Sequence, residues 1–143
     1  MPHSSALRRD VPGREIFAVL KRQLDELPLI AEDLGSLTPE VEALRDECGF
    51  PGMRILQYAF GGAAHNRDLP HNYVAHCVAY TGTHDNDTLA GWYRSAPRKV
   101  KAHARKYLSS SSHGICDAML RTGLASVADT AIAPAQDLLG LGS

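Results

Sequence analysis

Two pairs of carboxylates stand where chemistry is done in many α/β proteins. Glu32 and Asp33 follow the short apolar run LPLIA, and Asp85 and Asp87 sit in the word THDND, just beyond the apolar run CVAY. Carboxylates can exchange protons with a ligand or accept hydrogen bonds from its hydroxyls. In folds built on a parallel sheet, ligands gather at the loops past the carboxyl ends of the strands. Glu32 and Asp85 are 53 positions apart, with one more strand-like run between them. A barrel would bring both over a common mouth. The commoner use of such residues is to cap the next helix or to stay in solvent, and Asp33 and Asp87 are assigned to that use. His65, His71 and His76 lie in the same stretch but lack HxxxH or HExxH spacing, so no metal site and no cofactor is expected.

The elements that must carry these residues alternate. Ile16, Phe17, Leu20, Leu24 and Leu27 share one face of a helix expected over residues 14–27, which Pro28 ends. LPLIAE has strand length. A second helix is expected over residues 39–48, with Thr38 as its cap, Pro39 in its first turn, Glu40 at its positive end and Gly49 after its last residue. Residues 53–60 (MRILQYAF) read as a strand, residues 61–72 as a loop rich in Gly, Asn, His and Pro, and residues 77–80 as another strand. Asp87 is placed as the cap of a helix holding Trp92, followed by helices over about 99–108 and 113–128 and a weak strand over 131–135. Strands and helices in this rhythm define an α/β protein with a parallel sheet, either barrel or doubly wound.

Composition narrows the function. The 143 residues carry 15 Lys+Arg against 16 Asp+Glu, a formal charge of −1, which argues against nucleic acid as the main partner. No apolar run reaches the roughly 18–20 residues that a membrane helix needs. The opening MPHSSALRRD has no apolar core of a secretory signal. Cys48, Cys77 and Cys116 are odd in number and widely spaced, so they read as reduced thiols of a cytoplasmic protein. The basic run 98–106 interleaves Val100, Ala102 and Ala104 and reads as a solvated helix face. Tyr58, Phe60 and Trp92 read as core rather than as sugar-stacking rings.

Longer words carry more. The stretch LPLIAEDLGSLTPEVEALRDECGFPGMRILQYAFG, followed by LPHNY, YTGTHDNDTLAGWY and the tail ASVADTAIAPAQDLLGLGS, closely resembles the 4-alpha-glucanotransferases, also called amylomaltases or disproportionating enzymes, relatives of the α-amylases. The resemblance covers about residues 13–143. It implies part of an elaborated (β/α)8 TIM barrel, about strands five to eight with their helices, cut at both ends. Residues 1–13 would be a non-matching extension and residues 14–143 the C-terminal half of the catalytic barrel. The implied reaction is retaining transfer of an α-1,4-glucan segment to the 4-hydroxyl of a glucose or maltooligosaccharide acceptor.

By the same resemblance, Glu32 matches the general acid/base of the AEDLG word and Asp85 the transition-state-stabilising aspartate of THDND. His84 matches a sugar-contacting histidine, and His71 and Asn72 of LPHNY would line the sugar cleft. The two carboxylates are expected at the carboxyl ends of neighbouring parallel strands, facing one cleft and within roughly 10 Å of each other. The family's nucleophile stands in an Arg-x-Asp word on the strand before AEDLG. Here only MPHSSALRRDVPG precedes the first helix, and Asp10 beside Arg8 and Arg9 lacks that strand. The expected protein is therefore a 4-alpha-glucanotransferase fragment without its nucleophile, inactive on its own, with a non-catalytic glucan-binding remnant as the alternative.

Overall fold

The computed structural model describes residues 12–25 and 27–142. Asp10 and nearly all of the 1–13 extension lie outside the described residues, as does Glu26 of the expected first helix.

Helix α1 spans Gly13–Leu24 and α2 spans Pro39–Cys48. The first ends earlier than its apolar periodicity suggests, at Asp25, where a φ of 57° breaks the helical path. The second has its expected bounds. Gly49, at φ 72°, closes it by donating its N–H to the last carbonyls, a left-handed position that glycine occupies without a Cβ penalty. Thr38 does not cap it through its side chain; its carbonyl receives the Val41 and Glu42 N–H groups instead. Glu40's own N–H and the Thr38 hydroxyl both bond the Glu40 carboxylate and hold its pKa below the ordinary value. Phe17 of α1 packs edge to face on Phe50, just beyond α2, with ring centroids 5.0 Å apart.

A parallel sheet of three strands follows, β1 (Gly52–Ile55), β2 (Cys77–Tyr80) and β3 (Thr130–Ile132), in the order β1-β2-β3. Ile55 aligns with Tyr80 and Tyr80 with Ile132. With alternating side chains, Met53, Ile55, Val78, Tyr80 and Ile132 share one face, and Arg54, Ala79 and Ala131 the other. Two expected strands are shorter. LPLIAE contributes a single parallel bridge, Ala31 to Gly52, with the Ala31 N–H on the Pro51 carbonyl at 2.9 Å. The run 53–60 is a strand only to Ile55; Leu56–Gly61 then winds into a 3-10 turn. Leu56, Ala59 and Phe60 stand at helical spacing and all enter the core, so burial of that face overrides the local strand preference of the run.

The β2–β3 crossover carries α3 (Leu89–Ser95), α4 (Arg98–Tyr107) and α5 (Ile115–Leu124), and α6 (Ala135–Leu138) follows β3. The main core joins Leu56, Phe60 and Leu69 to Leu89, Ala104, Ile115 and Met119. Phe60 touches Trp92 and Tyr107 at centroid distances of 6.1 and 5.9 Å, so both Phe60 and Trp92 are core side chains. Among the described residues, no helix is long and apolar enough to cross a membrane.

Candidate active site

Glu32 lies one residue past the Ala31–Gly52 bridge, and Asp85 five residues past the end of β2. They do not follow neighbouring strands, because β1 runs between them. They nonetheless line one open cleft of about 360 Å³, together with Met53, Tyr80, His84 and Ile132. Met53, Tyr80 and Ile132 come from the same sheet face. This floor was not legible beforehand: alternation groups these side chains but leaves open which face meets the ligand. Glu32 is exposed at the mouth. His84 and Asp85 are open to solvent, with His84 Nε2 3.3 Å from Asp85 Oδ1.

The turn that carries His84 and Asp85 is pinned on both sides. Asn86 Oδ1 accepts the Thr83 N–H at 2.8 Å and the Thr83 hydroxyl at 2.9 Å, and Asn86 Nδ2 donates to Tyr58 Oη at 3.0 Å. Gln57 Nε2 donates to the Asp87 carbonyl at 2.8 Å and packs so closely on Gly82 that a Cβ there would lie 2.6 Å away. Behind the turn, buried Asp137 accepts the Thr81 hydroxyl at 2.6 Å and the Leu89 N–H at 2.7 Å, tying the end of β2 to the start of α3. The cap of α3 is Thr88, whose hydroxyl accepts the Gly91 N–H at 3.1 Å; Asp87 accepts the Thr88 N–H instead. The Asp87 carboxylate lies so close to Gly91 that a Cβ there would overlap it.

His71 and Asn72 are not brought to the cleft. His71 Nε2 meets the Ala64 carbonyl at 3.0 Å and its Nδ1 meets Tyr107 Oη at 2.8 Å, while Asn72 Nδ2 donates to the Ala64 and Asn66 carbonyls at 2.8 Å each. Their polar atoms satisfy carbonyls of the 61–72 loop that no ladder reaches. His76 Nε2 meets the Gly49 carbonyl at 3.0 Å. Among the described residues, no three His, Cys, Asp or Glu side chains gather as a metal site would require.

Asp33 is neither a cap nor a solvated carboxylate. It is 4% exposed, accepts the Met53 N–H at 2.7 Å, and is ion-paired to Arg45 and Arg67, with Arg54 Nη1 at 3.5 Å. Burial alone would raise its pKa, but the Met53 N–H, Arg67 and Arg45 outweigh it and hold the carboxyl below its ordinary value. A lowered native pKa gives stability that is full above the unfolded value and lost as pH falls through the native one. Removing one partner of such a cluster typically costs about 3–5 kcal/mol. Asp33→Ala is therefore expected to lower the urea midpoint strongly at pH 7, and the gap from wild type should shrink below about pH 4. An equal gap at both pH values would show that the charge of Asp33 contributes nothing.

The sequence model of the 4-alpha-glucanotransferase family matches residues 3–143. The chain is 48% identical over 140 residues to the 4-alpha-glucanotransferase of Thermus thermophilus, covering 92% of this chain and 28% of that one. It is 44% identical over 133 residues to the chloroplastic/amyloplastic 4-alpha-glucanotransferase of Solanum tuberosum, covering 92% and 23%. Among solved structures, the amylomaltase from Streptococcus agalactiae in complex with acarbose superposes with a TM-score of 0.87 at 40% identity, over 94% of this chain and 28% of that one. The chain thus spans about a quarter of the length of these relatives.

Proposed function

Because this chain belongs to the 4-alpha-glucanotransferase family, we propose that it supplies the acid/base and sugar-holding side of a retaining glucan-transfer site. The observation that carries this reading is the convergence of Glu32, His84 and Asp85 on one cleft at the carboxyl side of a parallel sheet. In this proposal β1, β2, β3 and the Ala31 segment are about strands five to eight of a (β/α)8 barrel, whose ligands meet that end.

Glu32 stands at the mouth, where a glycosidic oxygen would enter. As a carboxylic acid it gives that oxygen a proton while the anomeric carbon passes to a carboxylate nucleophile. As a carboxylate it then takes the proton from the 4-hydroxyl of the acceptor. Asp85 accepts hydrogen bonds from the hydroxyls of the distorted ring, and its charge opposes the oxocarbenium-like centre. His84 adds a ring N–H donor to the same sugar. The nucleophile belongs to the family's Arg-x-Asp word on the strand before AEDLG; the Arg8-Arg9-Asp10 word of this sequence has no strand-like run around it and is not assigned that role.

The test joins two samples. A complete glucanotransferase carrying residues 3–143 in place of its own corresponding quarter should convert maltotriose to glucose, maltose and longer maltodextrins. The 143-residue polypeptide alone should give none above a buffer control, because no covalent glycosyl intermediate can form without the nucleophile. A silent complete enzyme beside an active parent would overturn the proposal, as would transfer by the polypeptide alone.

A further inference from the structure

We propose that the buried cluster of Asp33 with Arg45, Arg54 and Arg67 is the positioning device of Glu32, holding that side chain toward the cleft from the opposite side of the backbone. The inference rests on the assignment of Glu32 as acid/base. The Asp33 N–H meets the Ala31 carbonyl at 2.9 Å, a tight turn centred on Glu32. Glu32 lines the cleft beside Met53, whereas the Asp33 side chain is buried against Arg54, away from the cleft. The segment has no strand of its own to fix its direction. Its backbone is tied to the sheet by the Ala31 N–H on the Pro51 carbonyl, and two residues on the Asp33 carboxylate takes the Met53 N–H at 2.7 Å, where the ladder would otherwise continue.

The guanidiniums around that carboxylate come from three places: α2 (Arg45), β1 (Arg54) and the 61–72 loop (Arg67). Any rotation of the segment that turned Glu32 away from the cleft would pull Asp33 out of this cluster. The fit is tight. A Cβ on Gly52 would overlap the Asp33 carboxylate, so the strand can approach only because that residue is glycine. Asp33 lies on the far face from the ligand, so it acts through the aim of Glu32 and does not itself touch substrate.

A positioning role predicts a loss that follows the proton-transfer step. In the complete enzyme carrying this segment, Asp33→Asn should lower kcat on maltotriose by about 10–100-fold, the scale of a misplaced catalytic group, with KM within about twofold. Formation of the glycosyl-enzyme from α-maltotriosyl fluoride, whose leaving group needs little protonation, should stay within about threefold of wild type. Gly52→Ala, which displaces the carboxylate while leaving it charged, should show the same donor selectivity and covers the case in which Asp33→Asn does not fold. Equal losses on both donors, in a setting where Glu32→Gln is donor-selective, would overturn the positioning role alone. Equal losses for Glu32→Gln itself would overturn the acid/base assignment and this inference with it.

Discussion

Glu32→Gln should lower transfer between ordinary maltodextrins by at least about 100-fold in the complete enzyme. A sugar alkoxide is a poor leaving group near neutral pH, and general acid–base help is typically worth about 10²–10⁴-fold, or roughly 3–5 kcal/mol of barrier. Glutamine keeps the shape and can donate a hydrogen bond, but it cannot deliver or recover a proton. The substitution is structurally mild, because Glu32 is exposed at the mouth of the cleft and the clamp beneath it is made by Asp33. A fluoride donor should form its glycosyl-enzyme at a much less impaired rate. That intermediate should then accumulate, because the acceptor hydroxyl has also lost its base. Mass spectrometry of the intact protein after mixing with α-maltotriosyl fluoride would detect it. Equal slowing of both donors, with no trapped intermediate, would remove Glu32 from the acid/base role.

Asp85→Asn should behave differently. Its carboxylate serves the distorted ring and the developing positive charge, which every donor shares, so the ordinary and activated donors should slow together. Loss of a preorganised electrostatic contact of this kind is typically worth about 10²–10³-fold. The turn should survive the change, because it is pinned by Asn86 on Thr83 and by Gln57 on the Asp87 carbonyl, and among the described residues the Asp85 carboxylate meets only His84, at 3.3 Å. Single-turnover rates on both donors measure this directly. A variant that spared the fluoride donor would place Asp85 on the leaving-group side and reverse the division of labour with Glu32.

Sequence alone determined the features whose causes lie within a few residues. The start and end of α2 follow from Pro39 and Gly49, since a fixed φ suits a first turn and a missing Cβ suits a left-handed stop. Strand β2 reads directly from CVAY, and the long words around Glu32 and Asp85 are specific enough to carry the family. Tertiary structure decided what depends on partners distant in the chain. Residues 56–60 could be strand or turn, and the burial of Leu56, Ala59 and Phe60 against α3, α4 and α5 chose the turn. Asp33 resembled a solvated carboxylate until Met53, Arg45 and Arg67, between 12 and 34 positions away, enclosed it. Asp137 gave no local sign that it would fasten Thr81, 56 positions earlier. His71 and Asn72 share a word with a sugar-binding family, yet the fold sets His71 against the Ala64 carbonyl and Tyr107 and turns the Asn72 amide N–H groups to the Ala64 and Asn66 carbonyls. Local dihedral and capping preferences act within about one turn of chain, whereas a buried polar group takes whichever partner the packed fold brings within hydrogen-bonding reach.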